Sequence, residues 1–294
     1  MKIAILTDTH SGILQEEAGE NGFFLLAAPF IVNGEQHYEG IGFGEADFYE
    51  KMEAGADVST SQPSPGEVTQ LWDSILRDYD QVLCINLSSG LSGAYQTMRV
   101  LAQDEIYADR VFPVNNTSVS VTERVAVYQA KALIEAGYTA PQIRDILERH
   151  RQDNLIFITV TTLKYLKKGG RITPAAAALG SLLRIKPVLE IDGEKLDAFA
   201  KVRTMAQARE TMLQAIQTTL STRLQDPDAS HCYIMVAHTK NEAAALEFLE
   251  EAKARWPQAE FHVAPLALAI ACHTGPGALA IVAERKLPEL DNQR

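Results

Sequence analysis

Residues 81–96 read Gln81-Val82-Leu83-Cys84-Ile85-Asn86-Leu87-Ser88-Ser89-Gly90-Leu91-Ser92-Gly93-Ala94-Tyr95-Gln96, and this stretch decides the fold class. Its first part, 82–87, is a mostly apolar run of the length that suits one buried strand. Then come Ser88, Ser89, Gly90, Leu91, Ser92 and Gly93. After them Ala94, Tyr95, Met98, Val100, Leu101 and Ala102 recur at roughly helical spacing. The spacing predicts a strand, a hydroxyl-rich turn and a helix. In open α/β sheets such a turn lies at the carboxyl end of a strand, where ligands bind. Serine hydroxyls, free backbone N–H groups and a helix N-terminus together favour an anionic group. The same residues also read as an ordinary connection whose serines cap the helix.

Outward from this stretch the alternation continues. Residues 2–7 read as a first strand that empties into Asp8-Thr9-His10-Ser11. The apolar segment 23–32 follows, and Asn33-Gly34 is a strong turn signal. Two prolines in Thr60-Ser61-Gln62-Pro63-Ser64-Pro65-Gly66-Glu67 forbid a regular helix or a central strand there. Ser64, Pro65 and Glu67 have the capping-box arrangement for a helix that begins at Pro65. Strands are predicted at 111–114 and 155–160, with helices at 121–136 and 141–150 between them. The β-α-β-α order implies a mostly parallel sheet covered by helices.

The second half differs. A short helix at 163–168 stops at Gly169-Gly170. A strand at 183–191 turns through Asp192-Gly193 into 195–202, which requires antiparallel pairing. Helices follow at 204–220 and 242–254, with strands at 232–237, 260–264 and 278–282. The expected fold is α/β in two domains. An N-terminal domain, 1–155, holds a mostly parallel sheet; a C-terminal domain, 156–294, holds a mixed or antiparallel one.

The chain has 294 residues, of which 46% are hydrophobic and 22% charged, enough to bury a sizeable core. Its net charge of −11 and pI of about 5.2 argue against nucleic acid or an anionic membrane as partner. Cys84, Cys232 and Cys272 are widely spaced, so neither a disulfide framework nor a metal site is expected, and a cytoplasmic setting is. The first residues lack a signal-peptide core, and no apolar run approaches the length of a membrane span.

Hydroxyls cluster in three loops: Thr60 and Ser61, residues 88–92, and residues 117–120. Neutral donors of this kind can hold a carboxylate or phosphate, and they can equally cap helices. Gly90-Leu91-Ser92-Gly93-Ala94 approaches the G-x-S-x-G nucleophile elbow, and with His273 and Asp8 a serine hydrolase using Ser92 can be drawn. That elbow places its acid and its histidine after the serine, whereas Asp8 precedes it. His273 stands before Thr274-Gly275-Pro276-Gly277, read as a rigid loop. Lys164, Lys167, Lys168 and Arg171 form a basic run in an acidic chain. Arg171, after two glycines, suits phosphate recognition. There is no GxGxxG, P-loop or HExxH.

Taken together these loops resemble the DegV family. The pieces are Ile3-Ala4-Ile5-Leu6-Thr7-Asp8, the Thr60 to Glu67 segment, Leu87-Ser88-Ser89-Gly90-Leu91-Ser92-Gly93-Ala94-Tyr95-Gln96, Leu166-Lys167-Lys168-Gly169-Gly170-Arg171-Ile172, Lys186-Pro187-Val188-Leu189 and His273-Thr274-Gly275-Pro276-Gly277. They run in the family's order over nearly the whole chain. The resemblance implies a protein that is not an enzyme on its own and holds one long-chain fatty acid in a buried tunnel between two domains. It implies no cofactor beyond that ligand, and a separate ATP-binding kinase subunit as partner, which forms the acyl phosphate. It places the carboxylate on Thr60 and Ser92, with Ser61 and His273 beside them, and gives Arg171 to phosphotransfer or partner contact. The first loop departs from the family, with Asp8-Thr9-His10-Ser11 where a DS-type sequence is usual.

Overall fold

The computed structural model describes residues 1–179 and 185–291. The first half begins with β1 (Ile3–Asp8), a 3-10 turn (Thr9–Ser11), α1 (Gln15–Asn21) and β2 (Phe23–Leu26). The apolar segment 23–32 is not one strand. After β2 the chain crosses at Ala27-Ala28 to β3 (Pro29–Val32), which turns at Asn33-Gly34 into β4 (Glu35–Tyr38). Then follow α2 (Glu45–Glu53), β5 (Val58–Thr60), α3 (Pro65–Ile75), β6 (Gln81–Ile85), α4 (Ala94–Leu101), β7 (Val111–Val114), α5 (Val121–Glu135) and α6 (Ala140–Arg149). Ser64 and Glu67 form the predicted capping box at the start of α3: Glu67 N–H donates to Ser64 Oγ, and Ser64 N–H donates to Glu67 Oε2.

Two sheets come from this half. One has the order β2-β1-β6-β7, with parallel pairing throughout, as the βα alternation predicts. Residues of β6 are buried along its whole length, consistent with helices on both faces. The other is a small antiparallel sheet, β4-β3-β5, which carries Thr60 at the end of β5. Thr60 is therefore fixed by ladder pairing with Phe30, not by proline stiffness alone.

The second half runs β8 (Asn154–Thr159), α7 (Lys164–Gly169), α8 (Pro174–Ala178), β9 (Lys186–Ile191), β10 (Asp197–Val202), α9 (Met205–Thr222), β11 (Cys232–His238), α10 (Glu242–Arg255), β12 (Glu260–Pro265), α11 (Leu268–Thr274), β13 (Leu279–Arg285) and α12 (Pro288–Asp291). The strand expected at 183–191 begins outside the described residues; its described part is β9. The six-stranded sheet has the order β10-β9-β8-β13-β11-β12, antiparallel except for β11 with β12. It is the mixed sheet the Asp192-Gly193 turn requires. Helices α9 and α10 cover one face with Met212, Leu213, Ile216, Phe248 and Trp256. The other face carries Ile156, Ile158, Met235, Ala237, Ala280 and Val282 and packs against Leu87, Val119 and Val121 from the first half. That contact layer holds the cavity described below.

One expectation fails. His273 and Thr274 are not in a loop but form the last turn of α11, and only Gly275 to Gly277 leave it.

Candidate functional site

The carboxyl ends of β1, β5 and β6 point into one cavity of about 260 Å³ between the two halves. Thr60, Ser61, Ser92, Arg171 and His273 all line it. Beyond them the wall is apolar, with Leu26, Leu87, Val121, Ile158, Ile191 and Val282 among its residues. The volume lies near the lower end for ligand pockets, about 300 Å³.

Ser92 sits on the turn that the sequence singled out. Its N–H donates to Ser88 O at 3.0 Å, and its Oγ accepts Ala94 N–H at 3.2 Å. The hydroxyl proton is left for a ligand. Gly93 lets the loop of Thr60 approach: a Cβ there would lie 2.8 Å from Gln62 Oε1. Gln62 Nε2 also donates to Thr97 Oγ1 of α4, at 3.1 Å, so the two hydroxyl loops are tied together. Not every hydroxyl in these loops serves the cavity. Ser88 is buried and donates to Gly193 O, while Thr117 donates to Arg151 O and Ser118 to Asn116 Oδ1.

Thr60 Oγ1 lies 2.9 Å from His273 Nε2. An unperturbed histidine changes charge near neutrality. Here burial first, then the Arg171 guanidinium and His10, push its pKa down to about 4. The ring is neutral at pH 7 and carries one N–H. With that hydrogen on Nε2 it donates to Thr60 Oγ1, and the Thr60 proton is free to donate to a ligand. The back of the ring is closed by α7: a Cβ on Gly169 would lie 2.0 Å from His273 Nδ1, so only glycine fits.

Arg171 lines the cavity but is not loose. Nε donates to Leu91 O at 3.1 Å and Nη1 to Gly169 O, which ties α7 to the Ser92 turn. These bonds spend part of the guanidinium on the backbone and leave Nη2. Lys168 is turned away from the cavity, to Asp57 and to Val58 O.

The hydrolase arrangement does not form. Asp8 pairs with His10, not His273, and among the described residues Ser92 Oγ bonds to no histidine. The Asp8–His10 pair is a wall of the cavity that the sequence reading passed over. Asp8 Oδ1 accepts His10 N–H at 2.8 Å and lies 2.6 Å from Nδ1; Oδ2 accepts from Asn86 Nδ2 and Leu87 N–H, both at 3.2 Å. Burial opposes charge on Asp8, but His10 and these donors outweigh it and hold its carboxyl below the usual range. His10 is raised in turn: burial works against its charge and Asp8 overcomes it. The i, i+2 spacing of an aspartate and a histidine at a strand end is the signal that could have found the pair.

A family profile described as "Uncharacterised protein, DegV family" matches residues 2–286. The chain belongs to the DegV family. It is 30% identical to Protein DegV of Bacillus subtilis over 286 residues, 96% of this chain and 98% of that one. It is 31% identical to a DegV domain-containing protein of Deinococcus radiodurans, covering 97% and 99% of the two chains. Among solved structures it superposes on a DegV family protein of Thermus thermophilus, described as fatty acid binding, with a TM-score of 0.87 and 30% identity over 97% of this chain and all of that one. DegV of Bacillus subtilis, described as a fatty acid binding protein, gives a TM-score of 0.85 at 28% identity, again over 97% and 100%. The likeness to DegV proteins therefore spans all three sheets and the cavity between the two halves. Among the described residues no helix is long and apolar enough to cross a membrane, and no cluster of three or more His, Cys, Asp or Glu could hold a metal ion.

Proposed function

We propose that this DegV protein holds one long-chain fatty acid in the cavity, with the carboxylate between Thr60 and Ser92. In this reading it lies between two domains that divide near residue 155, in a cytoplasmic protein. The observation that carries the reading is an apolar cavity with the Thr60 and Ser92 hydroxyls in its wall: Ser92 Oγ accepts from Ala94 N–H, and with the His273 hydrogen on Nε2 the Thr60 proton is also left for a ligand. Ser61 stands beside Thr60 on the exposed side, its own N–H donating to Pro29 O at 3.4 Å. His273 orients Thr60. The chain catalyses nothing itself: it presents the carboxylate to a separate ATP-binding kinase subunit, which forms the acyl phosphate. Arg171, through Nη2, meets the phosphate or the partner. The fatty-acid binding described for the Thermus and Bacillus relatives supports the ligand class.

The test has two parts. Native mass spectrometry of the purified protein, with extraction of any bound lipid, identifies the ligand. Binding titrations then compare wild type with Thr60→Ala and Ser92→Ala. A hydrogen bond to a charged group contributes roughly 1.5–3 kcal/mol, so each variant is expected to bind a fatty acid about tenfold more weakly or worse. Unchanged affinity in both variants would sink the assignment of the carboxylate.

A further inference from the structure

On α5, Val125, Tyr128, Gln129 and Ala132 fall at the i, i+3, i+4, i+7 spacing of one helix face. Between that face and strands β11 and β12 lies a second cavity of about 580 Å³. That volume is inside the usual range of ligand pockets, about 300–1,000 Å³. The cavity shares no lining residue with the first. Strand β12 is the edge of its sheet, and the exposed Glu135 and Glu260 mark where the cavity meets solvent.

Two polar groups in this wall are left without bonds among the described residues. Gln129 is 6% exposed, and its Nε2 is buried with no hydrogen-bond partner. His262 stands opposite Met235 in the β11–β12 pairing, and its Nε2 is buried and unpartnered in the same way. Leaving a buried polar group unpaired costs more free energy than a made hydrogen bond gains. Gln129 also lines a small cavity of about 20 Å³ beside Glu284. One water fits there and would take one N–H of the amide, but His262 does not line that space. The charges of the larger cavity, by contrast, are spent. Arg124 is paired with Glu17 and Lys286 with Glu260. His262 is held neutral by burial and then by Arg124. An anion such as a carboxylate therefore finds no unspent cation here.

A side-chain amide carries both donors and an acceptor, and a neutral imidazole carries one of each. Their complement is an uncharged edge with an N–H beside a C=O. The rest of the wall, with Met235, Phe261, Leu287 and Leu290, suits an apolar body. We propose that this cavity is a second ligand site, taking a neutral, largely apolar molecule with a lactam-type edge that Gln129 and His262 read. The site goes beyond the fatty-acid reading and does not depend on what the first cavity holds. The two cavities then divide ligands by charge: hydroxyl donors for an acid in the first, an amide and an imidazole for an uncharged molecule in the second.

The probes are carbostyril, a fused apolar bicycle with one N–H beside one C=O, and its N-methyl derivative, in which that N–H is blocked. Calorimetric titrations compare wild type, Gln129→Leu and Ala132→Phe, each checked by thermal melt. Wild type is expected to bind carbostyril about tenfold more tightly than the N-methyl derivative, and hexadecanoic acid should not displace it. Gln129→Leu should reduce that preference to about twofold or less. It should melt no lower than wild type, because it replaces an unpartnered amide with an apolar group of similar size. Ala132→Phe, which fills the cavity, should abolish carbostyril binding. A wild type that binds neither probe, or both equally, overturns the proposal. So does displacement of carbostyril by hexadecanoic acid, for then the probe sits in the first cavity. A Gln129→Leu variant that melts lower and keeps the preference overturns it too, since the amide then serves the fold and not a ligand.

Discussion

Helix α5 borders two cavities against one face of the six-stranded sheet. At its first turn Val121 meets the 260 Å³ cavity, whose floor includes Ala237 and Ala280. Further along, Arg124, Tyr128, Gln129 and Ala132 border a second cavity of about 580 Å³, whose floor includes Tyr233, Met235 and His262. The second is the larger, and it is the more charged. Its cations are already matched: Arg124 donates to Glu17, Tyr128 also donates to Glu17, and Lys286 lies 3.0 Å from Glu260. His262 is lowered by burial and then by Arg124, and stays neutral. In the first cavity the hydroxyl protons of Thr60 and Ser92 are unspent. Size alone would choose the other cavity than the one proposed to hold the ligand. What distinguishes a binding site here is donors held in place but not used up.

Filling each cavity is the strongest way to break this comparison. Ala280, on β13, is 3% exposed and lines the first cavity, and a phenylalanine there would stand in the path proposed for the acyl chain. Ala132→Phe would fill the second cavity in the same way. Overpacking costs typically about 1–3 kcal/mol of stability, so both variants should still fold. Ala280→Phe is expected to weaken fatty-acid binding a hundredfold or more, and Ala132→Phe less than twofold. A titration with the effects exchanged would move the ligand to the second cavity.

The two cavities should also differ in their response to acid. His273 has its pKa lowered from 6.5 to about 4, so the fold prefers it neutral. Below pH 6.5 the unfolded chain takes up a proton that the folded one refuses until about pH 4. The stability His273 contributes is complete above pH 6.5 and is lost as pH falls from 6.5 towards 4, by at most ~1.4 kcal/mol per pH unit. Glu17, in the ion pair beside the second cavity, is lowered below 4.5: burial opposes its charge, and Arg124 and Tyr128 outweigh burial. Its contribution is present above pH 4.5 and is lost only below it. Melting temperature against pH should therefore flatten between pH 6.5 and 4 in His273→Gln, while Glu17→Gln changes the slope only below 4.5. An unaltered slope in His273→Gln would mean that the ring is charged in the fold.

Much of the first cavity was legible in the sequence because its parts are local. The strand, turn and helix of residues 81–96, the capping box at Ser64 and the Asn33-Gly34 turn each follow from neighbours in the chain. The rest depended on long-range packing. Leu268 to Cys272 is apolar on every side and has no helical period to read, because α11 is buried between α7 and the small sheet. His273 was thus placed on a loop, and its neutrality went unseen. The apolar segment 23–32 concealed a change of sheet at Ala27-Ala28. Arg171 is legible as a cation suited to phosphate, and its tie to Gly169 O is local, but its tie to Leu91 O comes from chain that only the fold brings near. The second cavity left no trace in the sequence, since Arg124, Glu260 and Lys286 meet only when α5 packs on the sheet.

The smallest expected effect is at the Lys286–Glu260 pair, and it sharpens the comparison most. Their side chains are 21% and 56% exposed, so water and salt screen the attraction. Pairs of this kind contribute about 0–1 kcal/mol. Lys286 also lies over the Tyr233 ring at 5.3 Å, where its stem covers apolar surface. Lys286→Met keeps much of that stem and removes the charge. Stability should fall by less than about 1 kcal/mol at low salt, and by less still as ionic strength rises. Fatty-acid affinity should be unchanged at either salt concentration, because the charge neutralised by Glu260 exerts little field on the first cavity. A denaturant titration and a binding titration on the same variant check both statements. A threefold or larger change in affinity would show that the second cavity communicates with the first, through α5 or the shared sheet face, and that its matched charges are part of ligand recognition after all.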